Sequence, residues 1–301
     1  MKIYILLFSA LLFLFSCGDN GKYYTDHSID DSDTTFVSDY ETIKIANYNI
    51  RYLTSADTGG RAWDIRKVYL LENIRTNNFD IFGTEEGVIS QLDYICTLST
   101  YAYIGVGRSD GALSGEHSAI FYKKARFILL DKGDFWFSET PNEPSKGWDA
   151  TIYRICSWGK FRDRRTQKTF YVFNSHFDNS ATIARRESAK LLLEKIKSIA
   201  GNYPTFCTGD LNSLPDAEPM NILREDGLLN DAYVCTKTAP TGTFWTYNAY
   251  NLTLEDSPNR IDYIWVTSGI TVNSFKTIND DITYGRVASD HFPVMANVKI
   301  N

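Results

Sequence analysis

The sequence predicts an α+β fold with one large core. About 260 residues follow an N-terminal leader and a polar stretch, and that length is enough for a single domain. Segments with apolar residues at a period of two come in pairs separated by short polar turns, as in antiparallel hairpins. Helical segments stand singly between them, and they do not alternate regularly with strands. This arrangement favours an α+β sandwich over a doubly wound parallel sheet.

The N-terminus predicts an export signal. The apolar run over 3–15 is too short to span a bilayer as a helix but has the length of a signal-peptide core. It ends at Cys17 in Leu14-Phe15-Ser16-Cys17, which resembles the acylation site of bacterial lipoproteins; ordinary cleavage near Ser16 is the alternative. We therefore expect residues 1–17 to be a lipoprotein signal peptide. Lipid on Cys17 would anchor an exported protein to a membrane, in the periplasm or at the cell surface.

Residues 18–41 predict a flexible acidic tether, because they are rich in Asp, Ser, Thr and Gly and lack a periodic apolar pattern. They contain seven acids and one lysine, so this segment alone carries −6, the net charge of the whole chain. With Lys2 counted, residues 42–301 carry −1. A domain so close to neutrality lacks the basic excess of a tight nonspecific nucleic-acid binder. A nucleic-acid partner stays possible but is not indicated by charge.

The first half of the domain over 42–301 mixes strands with one helix. The helix is predicted over Asp64–Asn77, where apolar residues recur at helical spacing. Strand-like patterns occur at Thr42–Ile50, Phe79–Gly83, Ser118–Tyr122 and Arg126–Asp131. The last two flank the polar Lys123-Lys124, so a hairpin is predicted there.

The second half begins with another predicted hairpin and contains the clearest amphipathic helix. The hairpin pairs Ile152–Arg162 with Thr169–His176, and the helix is predicted over Ala184–Ala200. Further segments are a second helix and three strands, over Ala217–Glu225 and over Tyr203–Thr208, Arg260–Thr267 and Val294–Ile300. The basic turn of the hairpin is either a nucleic-acid contact or a solvated tip, and the solvated tip is the commoner use.

Cysteine spacing argues against a structural zinc site, because the chain has no CxxC or Cys/His pattern of that kind. Cys156 and Cys207 fall in apolar strand-like runs, which predicts buried thiols. An exported protein can also form disulfides, and Cys96 and Cys235 are further candidates for pairing.

Polar side chains of metal-binding type recur where apolar strands end. The groups are Asn47-Tyr48-Asn49, Glu85-Glu86, His176-Phe177-Asp178, Gly209-Asp210-Leu211-Asn212, Arg260-Ile261-Asp262 and Ser289-Asp290-His291. Oxygen ligands held at strand ends suit a hard cation such as Mg²⁺. Two of the four histidines fall in this set and can serve as a base and as an electrostatic clamp.

The order of these motifs resembles the endonuclease/exonuclease/phosphatase superfamily over essentially all of 42–301. Its most specific parts are Asn47-Tyr48-Asn49-Ile50-Arg51, Asn174-Ser175-His176-Phe177-Asp178, Gly209-Asp210-Leu211-Asn212 and Ser289-Asp290-His291. The stretches Gly115–Tyr122 and Phe135–Pro141 look like a bacterial secreted or lipoprotein subgroup. The resemblance implies a four-layer α/β/β/α sandwich, with two mainly antiparallel sheets packed face to face.

The resemblance also implies a metal shell of Glu86, Asn49 and Asp290 for Mg²⁺ or Mn²⁺. The residue before the metal-binding glutamate is commonly Gln in the family, whereas this chain has Glu85. We expect Glu85 to face solvent, although a second carboxylate in the shell is the alternative.

Catalytic roles are implied in the same way. Asp210 and Asn212 match the pair that orients water and phosphate. His291 paired with Asp262 matches the base, and His176 matches the phosphate clamp, with Glu116 as the acid that orients it. A base must be neutral and a clamp charged, so we expect the two histidines to differ in protonation.

These assignments predict a divalent-metal-dependent phosphoesterase that attacks phosphorus with an activated water. A phosphodiesterase is the preferred interpretation, acting as a monomer on a nucleic acid, a phospholipid head group or a small phosphate ester. The alternatives are a phosphomonoesterase on sugar or inositol phosphates and an inactive surface binding protein of the same fold. Trp136, Trp148, Phe244 and Trp245 are candidates for stacking on a substrate, but core or loop packing is the commoner use of such residues.

Overall fold

The structure is a computed structural model that describes residues 41–253, 257, 259–286 and 288–301. The predicted signal peptide lies outside the described residues, and so does the predicted tether apart from Glu41. Within the described part of the chain, no helix is long and apolar enough to cross a bilayer.

Twelve strands and six α-helices are described in these ranges. The strands are β1 Thr42–Asn49, β2 Ile81–Gly87, β3 Tyr101–Ile104, β4 His117–Lys123, β5 Phe127–Trp136, β6 Ile155–Asp163, β7 Thr169–His176, β8 Thr205–Asp210, β9 Leu229–Asp231, β10 Asp262–Thr267, β11 Ile270–Thr277 and β12 Val294–Ile300. The helices are α1 Trp63–Asn77, α2 Ile89–Ile95, α3 Thr182–Ile199, α4 Glu218–Glu225, α5 Ala232–Cys235 and α6 Asp280–Tyr284, with a 3₁₀ turn at Gly59–Arg61.

The strands form two six-stranded sheets of the same pattern. Sheet A has the order β11-β12-β1-β2-β4-β3, and sheet B has the order β5-β6-β7-β8-β10-β9. Each sheet contains a single parallel pair, β1 with β2 and β7 with β8, and its other neighbours are antiparallel. The prediction of two mainly antiparallel sheets is confirmed.

Three apolar clusters explain the layered packing. One lies between the sheets and combines side chains of sheet A such as Ile45 and Ile120 with side chains of sheet B such as Val172 and Phe206. Helices α1 and α2 cover the outer face of sheet A, and α3 and α4 cover that of sheet B. Each sheet is therefore apolar on both faces, and the predicted α/β/β/α sandwich is confirmed.

The inner faces of the central strands change from apolar to polar toward one edge of the sandwich. In β1, Ile43 and Ile45 face the interior between the sheets, and the strand period of two puts Asn47 and Asn49 on the same face. The same succession ends β7 in His176 and β8 in Asp210. Polar groups are thereby carried into the gap between the sheets at a single edge.

Close approach of the sheets at this edge depends on Gly83 of β2. A side chain there would collide with Asn174 of β7 and with Thr208 of β8. Asn174 instead donates across the gap to the carbonyl of Thr84, 2.9 Å away, and so links the two sheets.

One predicted hairpin is confirmed and the other is wrong. β6 and β7 pair antiparallel, as predicted. β4 and β5 lie in different sheets, so the chain crosses from sheet A to sheet B at the turn after Lys123. Buried Arg126 stabilises this crossing, because its guanidinium contacts Asp80 beside sheet A at 2.6 Å and Asp163 at the end of β6 at 2.9 Å. A local pattern cannot distinguish such a crossing from a hairpin.

Candidate active site

The polar edge of the sandwich gathers the predicted site residues, because the two parallel pairs end there. β1 and β2 run side by side to Asn49 and Glu86, and β7 and β8 to His176 and Asp210. β10 begins at this edge, with Asp262 opposite Asp210 in the antiparallel register. The carboxyl ends of parallel strands meet at one edge of a sheet, so four separate motifs converge.

A pocket of about 520 Å³ opens at this edge. Its walls are formed by Arg51, Tyr52, Glu86, Arg108, Glu116, Ile152, Arg154, His176, Asn179, Asp210, Asn212, Tyr247, Ile261, Asp290 and His291. Seven of the nine predicted site residues are among them. The other two, Asn49 and Asp262, are fully buried behind the wall and contact residues that do line the pocket.

Asp210 lies at the centre of the group. Its Oδ2 atom is 3.5 Å from His176 Nε2 and 3.8 Å from His291 Nε2. Asn49 of the opposite sheet donates to the same oxygen at 3.0 Å, and the backbone N–H of Asn212 donates to Oδ1 at 3.0 Å. Burial raises the pKa of Asp210 to about 7, and repulsion from the Asp262 carboxylate adds to that effect although His291 opposes it.

His291 pairs with Asp262, as the resemblance implies. Its Nδ1 atom lies 2.8 Å from Asp262 Oδ2. Burial disfavours the imidazolium, but the carboxylates of Asp262 and Asp210 outweigh that cost and raise the pKa of His291 well above its usual range. The charged form of His291 is therefore favoured over the neutral form.

The protonation of His176 is the opposite. Burial lowers its pKa well below the usual value, and the positive charges of Arg154 and Arg108 lower it further. The pKa values of the two histidines are thus shifted in opposite directions. The order is nevertheless the reverse of the one that a neutral base at His291 and a charged clamp at His176 would require.

Glu85 does not face solvent, and that prediction is wrong. Its side chain is fully buried on the inner face of β2. Asn47 donates to Glu85 Oε2 at 3.2 Å and to Asp262 Oδ1 at 3.3 Å, so one amide links Glu85 to the Asp262–His291 pair. Burial raises the pKa of Glu85 well above its usual value, and repulsion from Asp262 and Asp210 acts in the same direction.

The expected pairing of Glu116 with His176 is replaced by another contact. The Glu116 carboxylate accepts from Arg108 Nη2 at 2.6 Å, and the carboxylate beside His176 is Asp210. A guanidinium is always charged, whereas His176 is held neutral, so Arg108 is the stronger partner for Glu116.

The donor set of the pocket fits a divalent cation. The ligand atoms of Glu86, His176 and Asp210 lie within 4.8 Å of one another, and Asp290 lines the same pocket. Burial raises the pKa of Asp290, and Glu86 adds repulsion to both Asp290 and Asp210. A cation among these oxygens would remove that repulsion, and oxygen donors are the ligands that Mg²⁺ prefers.

Three of the eight non-glycine residues with left-handed φ angles in the described part of the chain line the pocket. Arg51, Glu86 and Asn212 line it with left-handed φ angles of 55°, 65° and 45°. Non-glycine residues rarely adopt this region, and it is frequent at functional sites. Arg51 is held there by its own backbone, because its N–H donates to Asn49 Oδ1 at 3.0 Å and its carbonyl accepts from Arg66 at 2.7 Å.

Three arginines of the pocket were not predicted as site residues. Arg51 ends the motif Asn47-Tyr48-Asn49-Ile50-Arg51, and its position two residues after Asn49 was a usable signal. Arg108 and Arg154 lie in loops before β4 and β6, and nothing in their local sequence marks them. Asn47 was also missed as a site residue, although the same strand period that carries Asn49 to the inner face applies to it.

Two further sequence-based alternatives are answered by the fold. The basic turn between β6 and β7 lies at the opposite edge of sheet B from the pocket, because β7 runs from that turn to His176. Trp136 and Trp245 are buried, Trp148 is half-buried, and Phe244 is 43% exposed. None of these aromatic residues lines the pocket described above.

Comparison with known proteins agrees with this geometry. The model of the Endonuclease/Exonuclease/phosphatase family matches residues 46–291, which include every residue that lines the pocket. The chain belongs to this family. It is a phosphate-ester hydrolase of the family, and the superfamily predicted from the motifs is confirmed.

Two solved structures from Bacteroides thetaiotaomicron are similar over nearly their whole length. An endonuclease/exonuclease/phosphatase family protein is 37% identical, with a TM-score of 0.82 and coverage of 86% of this chain and 98% of that one. A mannosyl-6-phosphatase is 37% identical, with a TM-score of 0.81 and coverage of 85% and 99%. The exoribonuclease subunit Ccr4 of Aspergillus niger is 25% identical, and the match covers 69% of this chain but 41% of that protein.

Proposed function

We propose that the chain is a divalent-metal-dependent phosphomonoesterase whose substrates are sugar phosphates of the mannose 6-phosphate type. The observation that carries the chemistry is the position of Asp210 between His176 and the Asp262-paired His291. The observation that favours a sugar phosphate is 37% identity to a mannosyl-6-phosphatase over 99% of its length.

The pocket supports a small substrate. Its volume of about 520 Å³ is in the range of small-ligand sites, which is about 300–1,000 Å³. The net charge of −1 over residues 42–301 does not favour a long polyanion. The phosphodiesterase preferred from the motifs alone is therefore the weaker candidate.

The described residues suggest a division of labour. Ionised Asp210 accepts a proton from the attacking water while a P–O bond forms. The P–O bond to the sugar breaks, and the departing sugar oxygen takes a proton from solvent water. His291 supplies positive charge beside Asp210 and is kept in orientation by Asp262. Glu86, Asn49 and Asp290 would hold the cation, which offsets negative charge on the phosphoryl oxygens when bound.

A substrate panel tests the proposal. Phosphate release from mannose 6-phosphate, glucose 6-phosphate and p-nitrophenyl phosphate would be compared with cleavage of bis-p-nitrophenyl phosphate and single-stranded RNA, all with Mg²⁺. We expect kcat/KM for a sugar phosphate to exceed that for either diester by about 100-fold or more, equivalent to about 2.7 kcal/mol. Asp210→Asn serves as the inactive blank, and Asp226→Asn at the surface as the matched control. A preference for diesters of the same size would overturn the assignment.

We also propose that the protein is exported and anchored through lipid on Cys17, as the N-terminal pattern predicts. Detergent phase partition of the full chain and of Cys17→Ser tests this. The wild type is expected in the detergent phase and the variant in the aqueous phase. Recovery of both in the aqueous phase would contradict the proposal.

A further inference from the structure

We propose that Arg108 and Arg154 form a paired-guanidinium subsite that binds the terminal phosphate group and selects phosphomonoesters over phosphodiesters. This inference rests on the proposed function and deepens it. Both side chains line the pocket, and both border a tightly packed region of its wall that also contains His176. Together with His176 they form one continuous wall, which we call the arginine wall.

Arg154 is a built part of the arginine wall, because its side chain is only 5% exposed. Its Nη2 donates to Asn179 Oδ1 at 3.0 Å, and its Nε lies 3.5 Å from Asp178 Oδ2. The other oxygen of Asp178 accepts hydrogen bonds from the backbone N–H groups of Ser180 and Ala181, at 2.9 and 2.7 Å. Only one Asp178 oxygen therefore faces Arg154, and its contact with the guanidinium is long at 3.5 Å.

Arg108, on the loop before β4, is also held in place by hydrogen bonds. Its guanidinium donates to Glu116 at 2.6 Å, and its backbone N–H donates to the Glu116 carbonyl at 3.0 Å. The indole N–H of Trp136 donates to the Arg108 carbonyl at 2.7 Å, which ties the loop to β5. A charged side chain fixed in this way loses little entropy when it binds an anion.

Both arginines line the same pocket and border the same packed region beside His176, so one ligand can contact both. Burial lowers the pKa of Arg108 and the charge of Arg154 lowers it further, although Glu116 opposes both effects. Glu116 and Asp178 each contact one of the guanidiniums, and an anion that bound both arginines would offset the repulsion that remains between the two like charges. The ligand that the arginine wall suits is a dense, compact anion.

The charge and shape of the phosphate decide between the two ester classes. A monoester at neutral pH carries two charges over three terminal oxygens, whereas a diester carries one charge over two. Guanidiniums bind such oxygens in pairs, through parallel N–H donors. In a diester, an ester group replaces the third oxygen, so it would bring carbon against two arginines that then lack an acceptor.

Kinetics of Arg108→Met and Arg154→Met with Mg²⁺ test the proposal. We expect kcat/KM for p-nitrophenyl phosphate to fall by about 10- to 100-fold in each, as for loss of a charged hydrogen bond, and that for bis-p-nitrophenyl phosphate by less than about 3-fold. The inhibition constant of inorganic phosphate should rise by about 10-fold or more. Arg224→Met, at an exposed position of α4, is the matched control for loss of one surface arginine.

An equal loss for both esters, or an unchanged phosphate inhibition constant, would overturn the arginine wall as a selective subsite. Thermal unfolding of each variant identifies misfolding. If Arg154→Met does not fold, Arg108→Lys replaces it as the second variant. Arg108→Lys keeps the charge but loses the paired donors, and it should show the same selective loss. If the wild type cleaves only diesters, the proposed function is wrong. Calorimetric binding of inorganic phosphate to the wild type and to Arg108→Met then still tests the arginine wall, because it requires no turnover.

Discussion

The Nδ1 atom of His291 lies 2.8 Å from Oδ2 of Asp262, and both side chains are buried. Asp262→Asn keeps the shape but removes the charge, so the pKa of His291 should fall and kcat should drop by about 100-fold or more. NMR titration measures the pKa of His291 directly, and its signal can be assigned because the chain has only four histidines. The surface variant Asp226→Asn is the control. An unchanged kcat would show that Asp262 does not assist the reaction.

Glu85→Gln is expected to be tolerated, because the buried carboxyl is already held neutral and an amide can replace it beside Asn47. Above the ordinary pKa of 4.5, the unfolded chain releases the Glu85 proton while the folded state keeps it. The free energy of unfolding therefore falls as pH rises above that value. Glu85→Gln should therefore raise the free energy of unfolding at pH 8. The gain is about 1.4 kcal/mol for each tenfold difference between the proton dissociation constants of Glu85 in the folded and unfolded chain.

Urea unfolding at pH 5 and pH 8 measures this effect, and the gain should be larger at pH 8. Activity should stay within about 3-fold of the wild type, because no charge is lost at neutral pH. The neighbouring Glu86→Gln is the contrasting variant, since Glu86 lines the pocket and is the predicted metal ligand. A loss of stability in Glu85→Gln would mean that the carboxyl is ionised in the fold.

Removal of divalent metal with EDTA should abolish activity, and Mg²⁺ should restore it. Mg²⁺ at 100 times its dissociation constant should also stabilise the protein by about 2.7 kcal/mol, which thermal unfolding detects without turnover. Glu86→Gln should raise the Mg²⁺ concentration needed for half of this gain by about 10-fold or more. Glu225→Gln on the exposed part of α4 should leave it unchanged.

The gain in stability from Mg²⁺ should be larger at pH 8 than at pH 5.5. Asp210 has its pKa raised to about 7 from the ordinary 3.8, so without metal it keeps a proton at pH 5.5 that a cation must displace. Without metal, the same shift makes the protein lose stability as pH rises from about 4 to about 7. Thermal unfolding across this range, with Asp210→Asn as the variant that should lose much of the difference, measures both trends.

Asp149→Ala should destabilise the loop between β5 and β6. Asp149 accepts from the backbone N–H groups of Ala184 at 2.7 Å and Ile183 at 3.2 Å, and so caps α3 from a distant segment. Loss of this cap should cost about 1 kcal/mol. Because Ile152 and Arg154 of the same loop line the pocket, KM should rise more than kcat falls. Equal KM in wild type and variant would show that the loop is held by its other contacts.

Local sequence patterns predicted the fold where neighbouring segments pair, and they failed where pairing is set at long range. The β6–β7 hairpin and the helices over 63–77 and 182–199 follow from period and turn chemistry. The crossing between β4 and β5 depends on Arg126, whose partners Asp80 and Asp163 are distant in sequence. β3, β9 and β11 were also missed, and the first two are only four and three residues long.

The site residues that lie at strand ends were predictable from the sequence. The burial of Glu85 was within reach, because the period of two from Ile81 through Gly83 puts it on the inner face. Arg108 and Arg154 were out of reach, since loop residues acquire their neighbours only from the assembled sheets. Glu116 was assigned to His176 by resemblance alone, and the arginine beside it changes its partner.

The left-handed backbone at Arg51, Glu86 and Asn212 has an evolutionary consequence. Such conformations cost about 1–3 kcal/mol each, and glycine adopts them without that cost. A mutation to glycine at any of the three would relieve the strain and at the same time delete a guanidinium, a carboxylate or an amide from the pocket. Selection for heat tolerance and selection for turnover therefore act in opposite directions at these three codons, and a library screened for thermal survival alone should enrich glycine there while catalysis declines.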